Sequence, residues 1–119
     1  MIAVIFEVWP ADGRKDDYLG IAASLRADLN CIDGFISVER FQSLTDPNKL
    51  LSLSFWRDEE AVKEWRTHSK HRESQAQGRA GLFANYRLRI AAVARDYGIS
   101  DRVEAPNDSR AIHDPQPSM

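Results

Sequence analysis

The 119-residue chain has a single cysteine, Cys31, so no disulfide framework braces it and no cysteine pair is available to a metal. Its six glycines are scattered, and none gathers into a phosphate-cradling loop, a Rossmann fingerprint or a Gly-x-Ser-x-Gly elbow. No apolar run approaches the roughly 20 residues that a membrane span needs. The first run is short because Glu7 interrupts it after Phe6, and no basic leader precedes it. The expectation is a soluble, cytoplasmic protein with no membrane partner. A net charge of −2 lacks the basic excess on which obligatory nucleic-acid binding depends. What remains, 43% hydrophobic and 29% charged, is the composition of one globular domain with one core.

The hydrophobic period changes in an informative order. Ile2–Trp9 alternates as a strand and is stopped by Pro10, which has no N–H for a ladder. A helix is expected over Arg14–Cys31, with Tyr18, Ala22, Leu25, Leu29 and Ile32 on one stripe and Asp16-Asp17 at its positive end. Asp33-Gly34 ends it. Phe35–Gln42 and Lys49–Trp56 read as two strands joined by the turn Thr45-Asp46-Pro47-Asn48. Asp58-Glu59-Glu60 opens a second helix, with Ala61, Val62 and Trp65 on its buried stripe. The polar stretch His68–Gln77 is expected to continue as a further helical segment after a break near Thr67 or Ser69. Gly78 and Gly81 stop it, and a last strand is expected at Tyr86–Ala94.

This β-α-β-β-α-β order is the ferredoxin-like α+β pattern, a four-stranded antiparallel sheet with helices on one face. Two helices cannot cover two faces. Yet Ala3, Ile5 and Trp9 make the second side of the first strand largely apolar as well. A sheet that is apolar on its bare side requires a cover, most simply a second copy of the chain. The domain is expected over residues 1–98. Residues 99–119, rich in Pro, Asp, Ser and Asn, are expected to be a disordered or partner-draped tail.

Three constellations could carry chemistry. His68 and His71, three apart, can share a helix face as half of a metal site, but the only other histidine, His113, lies in the tail. No metal is therefore expected. The same histidines could instead accept a proton or donate a hydrogen bond in a pocket between helix and sheet, with His71 favoured. Trp65 and Tyr86 would wall that pocket for a flat substrate, although Trp65 also has the spacing of an ordinary core anchor. Lastly, Glu7, Glu39, Arg40, Arg87 and Arg89 sit in strands, where burial is costly without a partner. They are expected mainly to pair with one another, the alternatives being a dimer seam or a cavity lining. Cys31 is expected to be packed.

The segments Asp33-Gly34-Phe35-Ile36-Ser37-Val38-Glu39-Arg40-Phe41 and Leu53-Ser54-Phe55-Trp56-Arg57-Asp58-Glu59-Glu60-Ala61-Val62, followed by Trp65 and His71, resemble the antibiotic biosynthesis monooxygenase domain of the dimeric α/β-barrel superfamily. The resemblance covers about residues 2–97. It implies a homodimer in which two sheets pack face to face into a barrel, with pockets between sheet and helices. It also implies a cofactor-independent monooxygenase acting on an aromatic or quinol-like molecule and dioxygen; such an enzyme needs a base and an aromatic pocket, for which His71 or His68, Trp65 and Tyr86 are the candidates. Two alternatives accompany it: a haem-degrading enzyme with an atypical iron ligand, and a non-catalytic small-molecule-binding dimer. Haem-degrading members carry an asparagine on the first strand and a histidine nine or ten residues after the helix tryptophan. Here the first strand has Glu7 and no asparagine, and those later positions are Ser74 and Gln75.

Overall fold

The computed structural model describes residues 1–114, apart from the side chains of Ser69, Lys70, Ser74, Gln77, Gly78 and Arg79. Four strands, β1 (Ile2–Pro10), β2 (Phe35–Gln42), β3 (Leu50–Trp56) and β4 (Phe83–Ala92), form one antiparallel sheet in the order β2-β3-β1-β4. This is the ferredoxin-like arrangement. The ladder aligns Arg40, Ser52, Phe6 and Leu88 in one row and Val38, Ser54, Val4 and Ile90 in the next. Because side chains alternate, those rows point to the helical side, and Ile5, Leu51, Leu53 and Phe55 point away from it.

The helical layer holds α1 (Lys15–Ser24), α2 (Arg26–Asn30), α3 (Glu59–Thr67) and α4 (Ser69–Gln77), followed by a wound turn at Gly78–Leu82. The single helix expected over Arg14–Cys31 is broken at Leu25, whose N–H bonds the Ala22 carbonyl at 3.3 Å and tightens one turn. The apolar stripe survives the break: Tyr18, Ala22, Leu25 and Leu29 are all buried. Cys31, expected to pack, is exposed. It falls just past α2, where the chain leaves the helical face. Strand β4 starts earlier than expected, because a bulge at Trp9/Pro10 lets Pro10 pair with Phe83.

Two buried clusters hold the layers together. Leu25, Leu29, Trp56, Ala61, Val62 and Trp65 form one, and Val8, Tyr18, Leu50 and Leu82 the other. Gly34 seats the start of β2 against α3: at φ +91° a side chain there would be strained, and its Cβ would lie 2.9 Å from that of Ala61. Helix α3 begins on a true cap, with Asp58 Oδ1 accepting the Ala61 N–H at 2.9 Å. Replacing Asp58 by alanine is expected to cost about 1 kcal/mol, and Asp58→Asn to restore most of it. Chemical denaturation of the two variants checks this, and equal losses in both would assign the effect to the neighbouring Arg57 ion pair instead.

Beyond β4 the chain folds locally. Helix α5 (Asn107–His113) follows a buried Ala105, and Arg102 ties the segment together by bonding Asp114 Oδ1 at 2.8 Å and the Gly98 carbonyl at 3.2 Å. Ile99, Val103 and Ile112 project into solvent. Residues 115–119 of the expected tail lie outside the described residues. No helix among the described residues is long and apolar enough to cross a membrane.

Candidate active site

The space between sheet and helices is not filled. A cavity of about 380 Å³ lies there, within the range of small-molecule sites. Its floor is the helical side of the sheet, from Val38 and Arg40 on β2 through Ser52 and Ser54 on β3 to Val4 and Phe6 on β1. Small serines opposite large aromatics leave the void. Ser54 Oγ is occupied, accepting the Trp56 indole N–H at 2.9 Å. Phe6, Phe83 and Tyr86 form an aromatic corner with ring centroids 5.8–6.1 Å apart. Tyr86, Leu88 and Ile90 line the cavity yet are 43%, 49% and 41% exposed, so it opens over the edge strand β4.

Trp65, His71 and Tyr86 all border this one cavity; His68 does not. The helix break between Thr67 and Ser69 explains the difference. It leaves the Trp65 carbonyl without its helical partner, and that oxygen accepts both the His68 backbone N–H at 3.1 Å and the His71 ring at 3.0 Å. A carbonyl only accepts, so His71 Nδ1 carries the hydrogen, and in the neutral ring Nε2 carries the lone pair. The His71 ring also stacks on the Trp65 indole, with centroids 4.5 Å apart and planes 15° from parallel. Two contacts thus fix its orientation. Burial pushes the His71 pKa below the ordinary 6.5, with the neighbouring Arg72 and His68 adding to the fall and the Trp65 carbonyl opposing it. His68 is different: its ring lies 5.6 Å from Trp65, and its Nδ1 is buried without a partner.

The strand charges divide. Glu7 binds Lys49 Nζ at 2.5 Å and also Arg89, on the face away from the helices, and these cations, Lys49 first, hold its carboxyl below the usual range. That is the expected pairing. Arg40 departs from it. It sits on the cavity side, half-buried, with Nε sealed from solvent and no hydrogen-bond partner. Arg66 and Arg72 join the lining from α3 and α4. Sequence reasoning singled out Arg40 as a strand charge but not its side of the sheet, and it passed over Phe6, Phe83 and the two helical arginines. Alternation counted from Val38 would have found Arg40, since both have the same parity. Among the described residues, no group of three or more His, Cys, Asp and Glu side chains could hold a metal ion.

An antiparallel four-stranded sheet with a cavity under helices on one face, open over the edge strand, defines a ferredoxin-like domain with a ligand-sized site. The chain belongs to the antibiotic biosynthesis monooxygenase family, whose model matches residues 1–77. It is 50% identical over 93 residues to the jasmonate monooxygenase ABM of Pyricularia oryzae, covering 78% of this chain and 43% of that protein. It is 31% identical over 72 residues to the uncharacterized protein YqjZ of Bacillus subtilis, covering 60% of this chain and 59% of that one. The chain therefore spans about half the length of the curated relatives it matches. In fold it is similar to Rv0793 of Mycobacterium tuberculosis, with a TM-score of 0.73 and 18% identity, over 82% of this chain and 98% of the other.

Proposed function

We propose that this domain is a monooxygenase that works without an organic cofactor, oxidising a small organic molecule, aromatic or quinol-like, inside the cavity. The observation that carries this reading is His71, a neutral imidazole held by Trp65 on both its ring face and its Nδ1–H, which leaves Nε2 as a base. Membership of the monooxygenase family and the named activity of the Pyricularia oryzae relative support it.

The chemistry follows from what such a base does. Nε2 removes an acidic C–H or O–H proton from the substrate, and the resulting electron-rich anion reduces dioxygen directly. Carbon–oxygen bond formation gives a peroxide, which takes the proton back from the imidazolium. Loss of water then turns a CH₂ into a C=O, so that CH₂ and O₂ become C=O and H₂O with no external reductant. The aromatic corner and Trp65 hold a flat ring, and the apolar walls keep bulk water from the anion. Oxygen uptake in the presence of a panel of quinols and anthrone-like substrates tests the proposal. Uptake with stoichiometric product is expected, and no uptake across the panel would favour the non-catalytic binding reading.

The pH dependence has a defined sign. A lowered pKa keeps His71 neutral, and so competent as a base, below the ordinary value. An NMR titration of its ring Cε1–H is expected to give a midpoint below 6.5, and kcat/KM to fall only on the acid side of that value. A midpoint at or above it would remove the burial argument.

The usual haem pattern is absent, and the atypical iron ligand of the haem reading would be His71, which borders the cavity with only its Nδ1 engaged by Trp65, whereas His68 does not border it. The cavity-facing residues of β1 are Val4 and Phe6, both apolar, and Glu7 projects from the opposite face and is already paired. Of the two later positions, Gln75 borders the cavity and has no ring to ligate iron, and the Ser74 side chain lies outside the described residues.

We further propose that the domain works as a homodimer. Ile5, Leu51, Leu53 and Phe55 are only half-buried on a sheet face that no helix covers, and the exposed Ile99, Val103 and Ile112 are suited to lie on the partner.

A further inference from the structure

The charge of the cavity lining is one-sided. Arg40, Arg66 and Arg72 face it, and no aspartate or glutamate among the described residues does, although the chain as a whole is net negative at −2. Such an excess of fixed positive charge beside a partly enclosed, mostly apolar space favours an anionic occupant. Of the three arginines, Arg66 and Arg72 are exposed, and Arg72 Nη1 already donates to Gln75 Oε1 at 3.2 Å. Arg40 is the one that is half-buried, has no acidic partner among the described residues, and keeps a sealed Nε–H that nothing accepts. Its register fixes where it stands: in line with Ser52, Phe6 and Leu88 across the cavity floor, on the edge strand opposite the β4 opening.

We infer that the cavity selects organic carboxylic acids, binding the carboxylate at Arg40 and the apolar body over Phe6 toward Tyr86. This rests on reading the cavity as the substrate site and names the class of molecule it takes. A guanidinium fork matches a carboxylate, and a charge-assisted hydrogen bond in a desolvated place is among the stronger polar contacts. The acid group would thus be an anchor, remote from the carbon that His71 deprotonates, and would set the depth to which the substrate enters. Neutral esters of the same body lack the anchor and leave Arg40 unpaired, which is a penalty as well as a lost contact.

Calorimetric titration of the full chain with 4-phenylbutyrate, 1-naphthylacetate and decanoate, each against its methyl ester, tests this. At least one acid is expected to bind about ten- to a hundredfold tighter than its ester. Arg40→Met is expected to abolish that preference while leaving ester affinity in place, and Arg40→Lys to retain part of it. Arg14→Met, removing an exposed cation outside the cavity lining, is expected to change the preference less than about threefold. The inference is overturned if no acid is preferred over its ester by the wild type. It is equally overturned if Arg40→Met weakens acid and ester alike, or if Arg40→Met fails to fold and Arg40→Lys keeps no preference. Binding is read without turnover, so the oxygenase proposal stands or falls separately. Arg40-dependent acid binding with no oxygen uptake would sink that proposal alone, and oxygen uptake with neutral substrates preferred would sink this one alone.

Discussion

Replacing His71 by alanine is expected to lower kcat for oxygen uptake by about 10²–10⁴-fold, the usual contribution of a positioned general base. The expectation rests on geometry that fixes the ring. The Trp65 carbonyl holds the Nδ1–H at 3.0 Å and the Trp65 indole stacks on its face, so the lone pair on Nε2 has one orientation, and among the described residues no hydrogen bond takes it up. KM is expected to move little, because the aromatic corner and the walls remain. His71→Gln, which keeps polarity but has no basic nitrogen, is expected to be as slow as alanine, and added imidazole to restore part of the alanine variant's rate. The fold is expected to lose the ring stack, about 0.5–1.5 kcal/mol, and the hydrogen bond to the Trp65 carbonyl, about 0.5–1.5 kcal/mol. A rate within a fewfold of wild type in both variants would leave His71 as a structural prop for Trp65 and would end the base proposal.

Most of the architecture was legible because the alternation of apolar residues is strong and its changes of period are abrupt. Pro10, Gly34 and Asp58 each act locally, through a missing donor, a backbone angle and a cap, and local causes can be read from neighbours in sequence. The break near Thr67 belongs to the same class. The partition of α1 and α2 at Leu25 does not: no glycine or proline marks it, and a turn tightens there within an unbroken apolar stripe. For the site, residue type pointed to Trp65, His71 and Tyr86, which three different elements bring around one cavity. What could not be read was vacancy. Whether Ser52 and Ser54 leave a hole beneath the helices depends on helix spacing, and a hole has no residue of its own. The state of Arg40 depends on that hole, which is why it looked like one more paired strand charge.

The second large effect concerns the uncovered face. Leu53 lies on β3, an inner strand, paired with Ile5 on one side and Glu39 on the other, near the middle of the apolar patch that also includes Leu51 and Phe55. In a two-fold interface each residue counts twice. Losing two leucines at about 1.5–3 kcal/mol each is worth about 3–6 kcal/mol, or roughly 10²–10⁴-fold in dimer dissociation constant, and Leu53→Arg adds two charges with no partner opposite. Light scattering is expected to give the mass of two chains for the wild type and of one for Leu53→Arg. A one-chain mass for the wild type, or an unchanged mass for the variant, would refute the dimer. The variant also separates assembly from chemistry. The cavity lies on the side of the sheet opposite Leu53. A folded Leu53→Arg monomer is therefore expected to keep its Arg40-dependent preference for acids over esters. Loss of that preference on dissociation would mean that a partner residue completes the site, a contribution that the one-sided lining charge alone does not require.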